Sequence, residues 1–146
     1  MLALALAGTG PAAPAYAVTA GVEIPAPVLP RLQALAEAFR GATGQALTIT
    51  DGTRRPEVQA ALMLRNLERG DDLVRVYQNK AAARAVQAAW TEARKVKADR
   101  AAILERIATV IRGQVAAGDY VSKHLREGAV DVRCVDMSAA ARATFK

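Results

Sequence analysis

The residues best suited to chemistry in this chain are its only histidine, His124, and an aspartate seven positions later, Asp131. An imidazole nitrogen and a carboxylate oxygen both bind zinc well, at about 2.0–2.2 Å. Aspartate is disfavoured in strands, yet Asp131 lies inside the apolar run AVDVRCV, which predicts a strand at 129–135. By residue type and spacing alone, His124 and Asp131 are compatible with a metal-ligand pair. A surface or satisfied core histidine beside an unrelated aspartate is the alternative.

The alternation in this run assigns the two faces of the predicted strand. Val130, Val132 and Cys134 share the apolar face, which should lie against the core. Asp131 then projects from the open face of the sheet. Cys134 is therefore not expected to join the same metal site, and as the only cysteine it cannot form a disulfide within the chain.

A second segment, LTITDGTRRPEVQ, runs from Leu47 to Gln59 and combines a strand, a turn and a helix start. Leu47 and Ile49 alternate with two threonines, which predicts a half-buried strand. The letters DGTRR are typical of a turn, and Pro56 lies where a helix favours its first residue. The turn carries Arg54, and Gln59 follows five residues later.

These two segments resemble the zinc D-Ala-D-Ala carboxypeptidase family of cell-wall peptidases, which is grouped with lysostaphin-type enzymes and the hedgehog signalling domain. The zinc segment of the family is Ser-x-His, a short loop with a glycine, then a strand with a small residue, an apolar residue and Asp. Ser122, His124 and Asp131 match this pattern. Glu127 stands at the usual glycine position and Gly128 follows it, which is a mild departure.

The upstream block of the family is a strand, then Ser-Gly-Tyr-Arg-Ser, then a glutamine five residues after the arginine. Arg54 and Gln59 match this block in type and spacing. Asp51 stands where the family has serine, and Thr53 stands where it has tyrosine. Both blocks occur in the order of the family, so the resemblance rests on two separate parts of the chain.

The resemblance implies zinc-dependent hydrolysis of a peptide bond in the peptidoglycan stem, at D-alanine. His124 and Asp131 would be two of three zinc ligands. Arg54 would be a catalytic residue whose guanidinium binds a substrate carbonyl or carboxylate. Gln59 would brace the turn and Ser122 would order the loop, both as structural support. Ser122 is not expected to be a nucleophile, because no second histidine is present to activate it.

The resemblance leaves half of the zinc site unassigned. The third ligand of the family is a second histidine near the C-terminus, with a glutamate as general base shortly before it, and this chain has one histidine. Either the chain is a fragment or the site has decayed. A helix that Ser138 begins and that is unfinished at Lys146 favours truncation. Because two ligands hold zinc less tightly than three, we expect these residues to bind zinc weakly and, with the site incomplete, not to hydrolyse a D-Ala-D-Ala peptide.

The composition is that of one globular domain, expected at 21–146, with 52% hydrophobic residues and a net charge of +6. Positive charge favours polyanionic partners such as the bacterial cell wall. No aromatic RNA-binding motif or dense Lys/Arg block indicates nucleic acid. The expected partner is the peptidoglycan stem peptide. A non-catalytic cell-wall (peptidoglycan) binding module is the alternative, and a purely structural helical protein would require both segments to match by coincidence.

Hydrophobic periodicity makes most of the remaining chain helical. Helices are predicted at 31–41 and after Pro56, whereas 72–78 fits a strand or a helix. The stretch 80–117 fits one long helix or a hairpin broken near Asp99. We expect an α+β fold, with a small antiparallel sheet that carries the zinc cleft on one face and helices on the other. No apolar stretch is long enough to span a bilayer.

Residues 1–20 differ in kind from the rest of the chain. They combine an apolar start, small residues and an Ala15-Tyr16-Ala17 triplet of the type that signal peptidase cleaves after. The usual positive start is missing, so a disordered leader is the alternative. We favour export, which would place the protein in the periplasm or outside the cell, and we exclude residues 1–20 from the expected fold.

Export predicts a defined new N-terminus. If residues 1–17 are a signal, a bacterium that expresses the whole chain should release it from the cytoplasm with Val18 as its first residue. N-terminal sequencing and intact mass of the periplasmic and cytoplasmic fractions measure this. Recovery of intact Met1 in the cytoplasm would contradict export.

Overall fold

The structure, a computed structural model, describes residues 14–126 and 128–145. Residues 1–13 of the expected leader and Glu127 of the histidine loop therefore lie outside the described residues. The strands are β1 Tyr16–Val18, β2 Leu47–Asp51 and β3 Asp131–Val132, and the helices are α1 Leu29–Thr43, α2 Pro56–Glu68, α3 Leu73–Val76, α4 Lys80–Lys95, α5 Arg100–Ala116 and α6 Ala139–Phe145. Two short 3-10 turns lie at Ala26–Val28 and Lys123–Leu125. The fold is α+β, as the sequence predicts.

The three strands form one mixed sheet in the order β1-β2-β3. β1 pairs with β2 in parallel, and β2 pairs with β3 antiparallel. The prediction of an antiparallel sheet is therefore wrong for one of its two pairings.

The exclusion of residues 1–20 from the expected fold is also too wide, because Tyr16–Val18 is an edge strand and the Leu47 N–H donates to the Ala15 carbonyl. A three-residue strand has no periodicity long enough to identify it in a sequence.

One face of the sheet is covered by α1 and α6. Leu47 and Ile49 of β2 are fully buried there, as their alternation predicts. Val132 and Cys134 pack against the same cluster, whereas Asp131 is exposed. The predicted facing of this segment is therefore confirmed. Its predicted length is wrong, because β3 is two residues long rather than the seven of 129–135.

A second core lies among the helices that follow β2. α5 packs against both α2 and α4, and buried residues of all three meet in one cluster. The 80–117 stretch is the hairpin alternative: Asp99 caps α5 by accepting a hydrogen bond from the Ala102 N–H. The ambiguous 72–78 stretch contains the single turn α3, which the Asp72 side chain caps. In the part of the chain that the structure describes, no helix is long and apolar enough to cross a membrane.

Candidate metal centre

The metal-binding candidates lie where the turn after β2 meets the 3-10 turn Lys123–Leu125. Two short hydrogen bonds join these segments, which are 72 positions apart in the chain. The Nδ1 atom of His124 lies 2.7 Å from the carbonyl oxygen of Gly52. The backbone N–H of Arg54 donates to the carbonyl of His124 at 2.7 Å. His124 is therefore positioned by both its ring and its backbone.

The hydrogen bond to Gly52 also assigns the tautomer of His124. A carbonyl oxygen accepts only, so the proton must be on Nδ1. In the neutral ring, Nε2 then carries a lone pair, and Nε2 lies 3.3 Å from Oδ1 of Asp131. Two acceptors that face each other repel unless a proton or a metal ion lies between them. A histidine held through one nitrogen by a carbonyl, with the other nitrogen free, is the usual arrangement of a metal ligand.

The separation of these two atoms fits a shared tetrahedral ion. Zinc bonds of about 2.0–2.1 Å at tetrahedral angles place neighbouring ligand atoms about 3.3–3.4 Å apart. The observed distance between Nε2 of His124 and Oδ1 of Asp131 is 3.3 Å. The side chain of His124 is 12% exposed and that of Asp131 is 56% exposed, so an ion at this point would be reachable from solvent.

Asp51 is a third candidate ligand. The sequence gives no sign of this role, because Asp51 stands where the resembling family has serine. Ligand atoms of Asp51, His124 and Asp131 all lie within 4.8 Å of one another. The cause is the register of the sheet, since Asp51 of β2 is the pairing partner of Asp131 of β3. This upper limit exceeds a tetrahedral edge, whereas the pair formed by His124 and Asp131 lies at the edge length.

The carboxylate of Asp51 already accepts three hydrogen bonds. Its Oδ1 accepts from the Gly52 N–H at 2.8 Å, and its Oδ2 accepts from Nε and Nη2 of Arg54. A carboxylate has about four acceptor positions, which leaves one for a cation. Burial acts to raise the pKa of the Asp51 carboxyl, but the Arg54 and Gly52 hydrogen bonds outweigh it and hold the pKa below its usual value. Asp51 is therefore an anion at neutral pH.

Arg54 is fixed from two sides. Besides Asp51, its Nη1 donates to Oε1 of Gln59 at 3.0 Å, and Nε2 of Gln59 donates to the hydroxyl of Tyr77 at 3.0 Å. Gln59 is fully buried, so its bracing contact is shielded from water. A guanidinium has five N–H groups, and these contacts use three. Within the described residues, two N–H groups of Arg54 remain for another oxygen.

Ser122 and Tyr77 complete the surroundings of His124. The hydroxyl of Ser122 accepts from the His124 N–H at 3.4 Å and so caps the 3-10 turn. Both residues line a cleft of about 360 Å³ that His124 and Lys123 also border. Burial raises the pKa of the Tyr77 hydroxyl, which therefore stays protonated at neutral pH. The sequence does not identify Tyr77, because Tyr77 lies in the segment 72–78, whose pattern fits a strand or a helix.

The structure thus brings all five sequence-predicted site residues into one network and adds Asp51 and Tyr77. The zinc ion and the peptidase cleft themselves remain predictions. Searches against protein families, curated proteins and solved structures found no match to this chain.

Gly52 lies so close to the backbone of Glu23 that Gly52→Ala should disrupt this centre. A Cβ atom at Gly52 would lie 2.0 Å from the carbonyl oxygen of Glu23, and the backbone there must move. We expect a loss of about 3 kcal/mol in the free energy of unfolding. Urea denaturation measures the loss, and NMR of the single histidine reports the tautomer, which should no longer be confined to protonated Nδ1.

Gly113→Ala is the matched control. A Cβ atom at Gly113 has open space around it in the last turn of α5, so this change should stabilise the protein by up to about 1 kcal/mol. Its histidine signals should match those of the wild type. Equal stability and equal histidine signals in Gly52→Ala would show that the turn does not constrain His124.

Proposed function

We propose that this protein is a zinc-dependent hydrolase that cuts a peptide bond of the peptidoglycan stem, at a D-alanine residue. The single observation that carries the proposal is the position of His124, whose ring is bound to the Gly52 carbonyl while Nε2 faces Asp131 at the edge length of a zinc tetrahedron. The resemblance of the two sequence segments to D-Ala-D-Ala carboxypeptidases supports the choice of substrate.

His124 and Asp131 would be the primary zinc ligands, and Asp51 would be the third. A donor set of one imidazole and two carboxylates suits zinc and leaves a fourth position for water. The remaining acceptor position on Asp51 and its anionic state fit this role. Bound zinc would supply a Lewis acid and a water that ionises near neutral pH. With Asp51 as a third ligand, the protein should bind zinc more tightly than His124 and Asp131 would by themselves.

Arg54 would recognise the substrate. Its contacts to Asp51 and Gln59 hold the guanidinium in one orientation and leave two N–H groups without described partners. A paired set of N–H donors is suited to a terminal carboxylate or to the oxygen of a scissile carbonyl as charge develops on it. Gln59 acts here as a positioning residue, because it touches Arg54 and Tyr77.

A non-catalytic cell-wall binding module is the second candidate, and one observation favours it. The described cluster holds no fourth acidic side chain that could act as a general base beside three ligands. The net charge of +6 would still attract an anionic wall polymer. The two functions differ in whether a stem peptide is cleaved or only bound.

Zinc titration tests the ligand set. His124→Ala and Asp131→Ala should each lower zinc affinity by at least about 100-fold, and Asp51→Ser, which restores the family residue, should lower it by about 10–100-fold. Asp136→Ala is the matched control, because Asp136 is exposed and pairs with Arg133. Calorimetry of purified variants gives these affinities. Unchanged affinity in Asp51→Ser alone would remove Asp51 from the site, and unchanged affinity in His124→Ala would remove the metal centre.

Peptide hydrolysis tests the reaction. The zinc-loaded protein should release D-alanine from a peptide that ends in D-Ala-D-Ala, and removal of zinc with a chelator should stop the release. Arg54→Lys should lower kcat/KM by about 10–1000-fold with zinc affinity kept, because lysine is a point charge that cannot form the fork. Arg55→Lys, at the neighbouring turn position, is the control. Tight zinc and wall binding without D-alanine release would favour the binding module.

A further inference from the structure

A second recess, of about 560 Å³, lies between the ends of α2 and α4 and the start of α5. None of its lining residues belongs to the metal centre. Its floor is apolar: Leu64 and Leu67 are buried, and Trp90 and Ile103 are half-buried beside them. The volume lies in the range of small-molecule sites, which are mostly apolar with a few polar groups at defined points.

The rim of this recess is positively charged. Arg100 is paired with Glu68 at 2.8 Å, so these two charges offset each other. Arg94 lies over the ring of Trp90, 4.9 Å from its centroid. The backbone N–H of Lys97 donates to the Arg94 carbonyl at 3.0 Å, whereas its side chain has no hydrogen-bond or ion-pair partner among the described residues. After the pairing of Arg100, the charges of Arg94 and Lys97 remain at the mouth of an apolar recess.

The backbone of Lys97 adopts a conformation that is unfavourable for lysine. With φ at 53°, it is the one residue other than glycine with positive φ in the described ranges. Lys97 follows α4 in a turn where the Ala98 N–H donates to the Ala93 carbonyl, a helix end that normally uses glycine. The left-handed conformation is costly for a side chain with a Cβ. Positions where a residue departs from its local conformational preference are often functional sites.

We propose that this recess binds an amphipathic anion, an aliphatic chain that ends in a carboxylate or a phosphate. The chain would lie on Leu64, Leu67 and Ile103, and the head would be bound by Lys97 and Arg94. This site is separate from the metal centre and does not depend on the proposed hydrolase function. Charge complementarity selects the anion, and the apolar floor selects a ligand with a chain rather than a free ion.

Trp90 provides a direct test, because it is the only tryptophan and lines the recess. Decanoate, added below its micelle concentration, should change Trp90 fluorescence in a saturable way. Decyltrimethylammonium and acetate should not, since the first has the wrong charge and the second has no chain. Decyl phosphate compared with inorganic phosphate distinguishes a lipid-like ligand from a free anion. Equal binding of decyltrimethylammonium and decanoate would overturn the proposal.

Lys97→Gly separates binding from folding. Glycine removes the charge and the backbone strain together, so decanoate affinity should fall about tenfold or more while the thermal midpoint rises by about 2–4 °C. Lys95→Ala is the control. Lys95 is exposed at the end of α4, pairs with Glu92 and does not line the recess. Unchanged affinity in Lys97→Gly would overturn the assignment of Lys97 and with it the site.

Charge reversal and the metal variants complete the experiment. Lys97→Glu should weaken decanoate binding and strengthen decyltrimethylammonium binding. His124→Ala should leave both unchanged, so failure here is distinguishable from failure of the zinc proposal. Sedimentation tests another occupant: a dimer that persists with decanoate, without a fluorescence response, would show that a second copy covers the recess and would overturn the proposal.

Discussion

The contact between His124 and the Gly52–Arg54 turn is the interaction on which the candidate centre depends. It consists of two hydrogen bonds between segments about 70 positions apart in the chain. Nδ1 of His124 donates to the Gly52 carbonyl, and the Arg54 N–H donates to the His124 carbonyl. The turn itself is held against the backbone of Glu23, which requires glycine at position 52, since a Cβ there would overlap the Glu23 carbonyl. Without this contact, Nε2 of His124 would have no fixed direction and the ligand pair would not be preformed.

The same turn connects the two cores of the protein. β2, which precedes it, buries Leu47 and Ile49 under α1 and α6, whereas α2, which follows it, belongs to the helical core. Gln59 lies on the first turns of α2 and is fully buried, yet both ends of its amide are hydrogen-bonded. A buried amide is stable only when it is satisfied, so Gln59, Arg54 and Tyr77 must keep their arrangement together. Packing in the helices thereby constrains the orientation of a guanidinium beside the candidate metal ligands.

The two proposed sites use charge in opposite ways. In the candidate metal centre, Asp51 and Asp131 concentrate negative charge beside His124, and Arg54 offsets it only in part. In the helical recess, Arg94 and Lys97 concentrate positive charge above an apolar floor. A net charge of +6 alone would suggest a general affinity for polyanions. The arrangement of the charges instead predicts one cation site and one anion site at separate places in the fold.

Local patterns in the sequence determined much of this protein. Alternation identified the facing of β2 and of the Val130–Cys134 segment, and Pro56 marked the start of α2. The resemblance of two segments to a peptidase family selected five residues that meet in one network: Arg54, Gln59, Ser122, His124 and Asp131. The predictions of strand facing and of the start of α2 succeeded because side-chain period and helix-start chemistry act over a few neighbouring residues.

Tertiary structure alone decided which distant segments pair. The parallel partner of β1 and the register that sets Asp51 opposite Asp131 depend on hydrogen bonds between strands far apart in sequence. Tyr77 entered the network for the same reason, because α3 is a single turn whose position follows from packing. A short strand or turn has little local preference, so its place is set by the contacts available once the longer elements have packed.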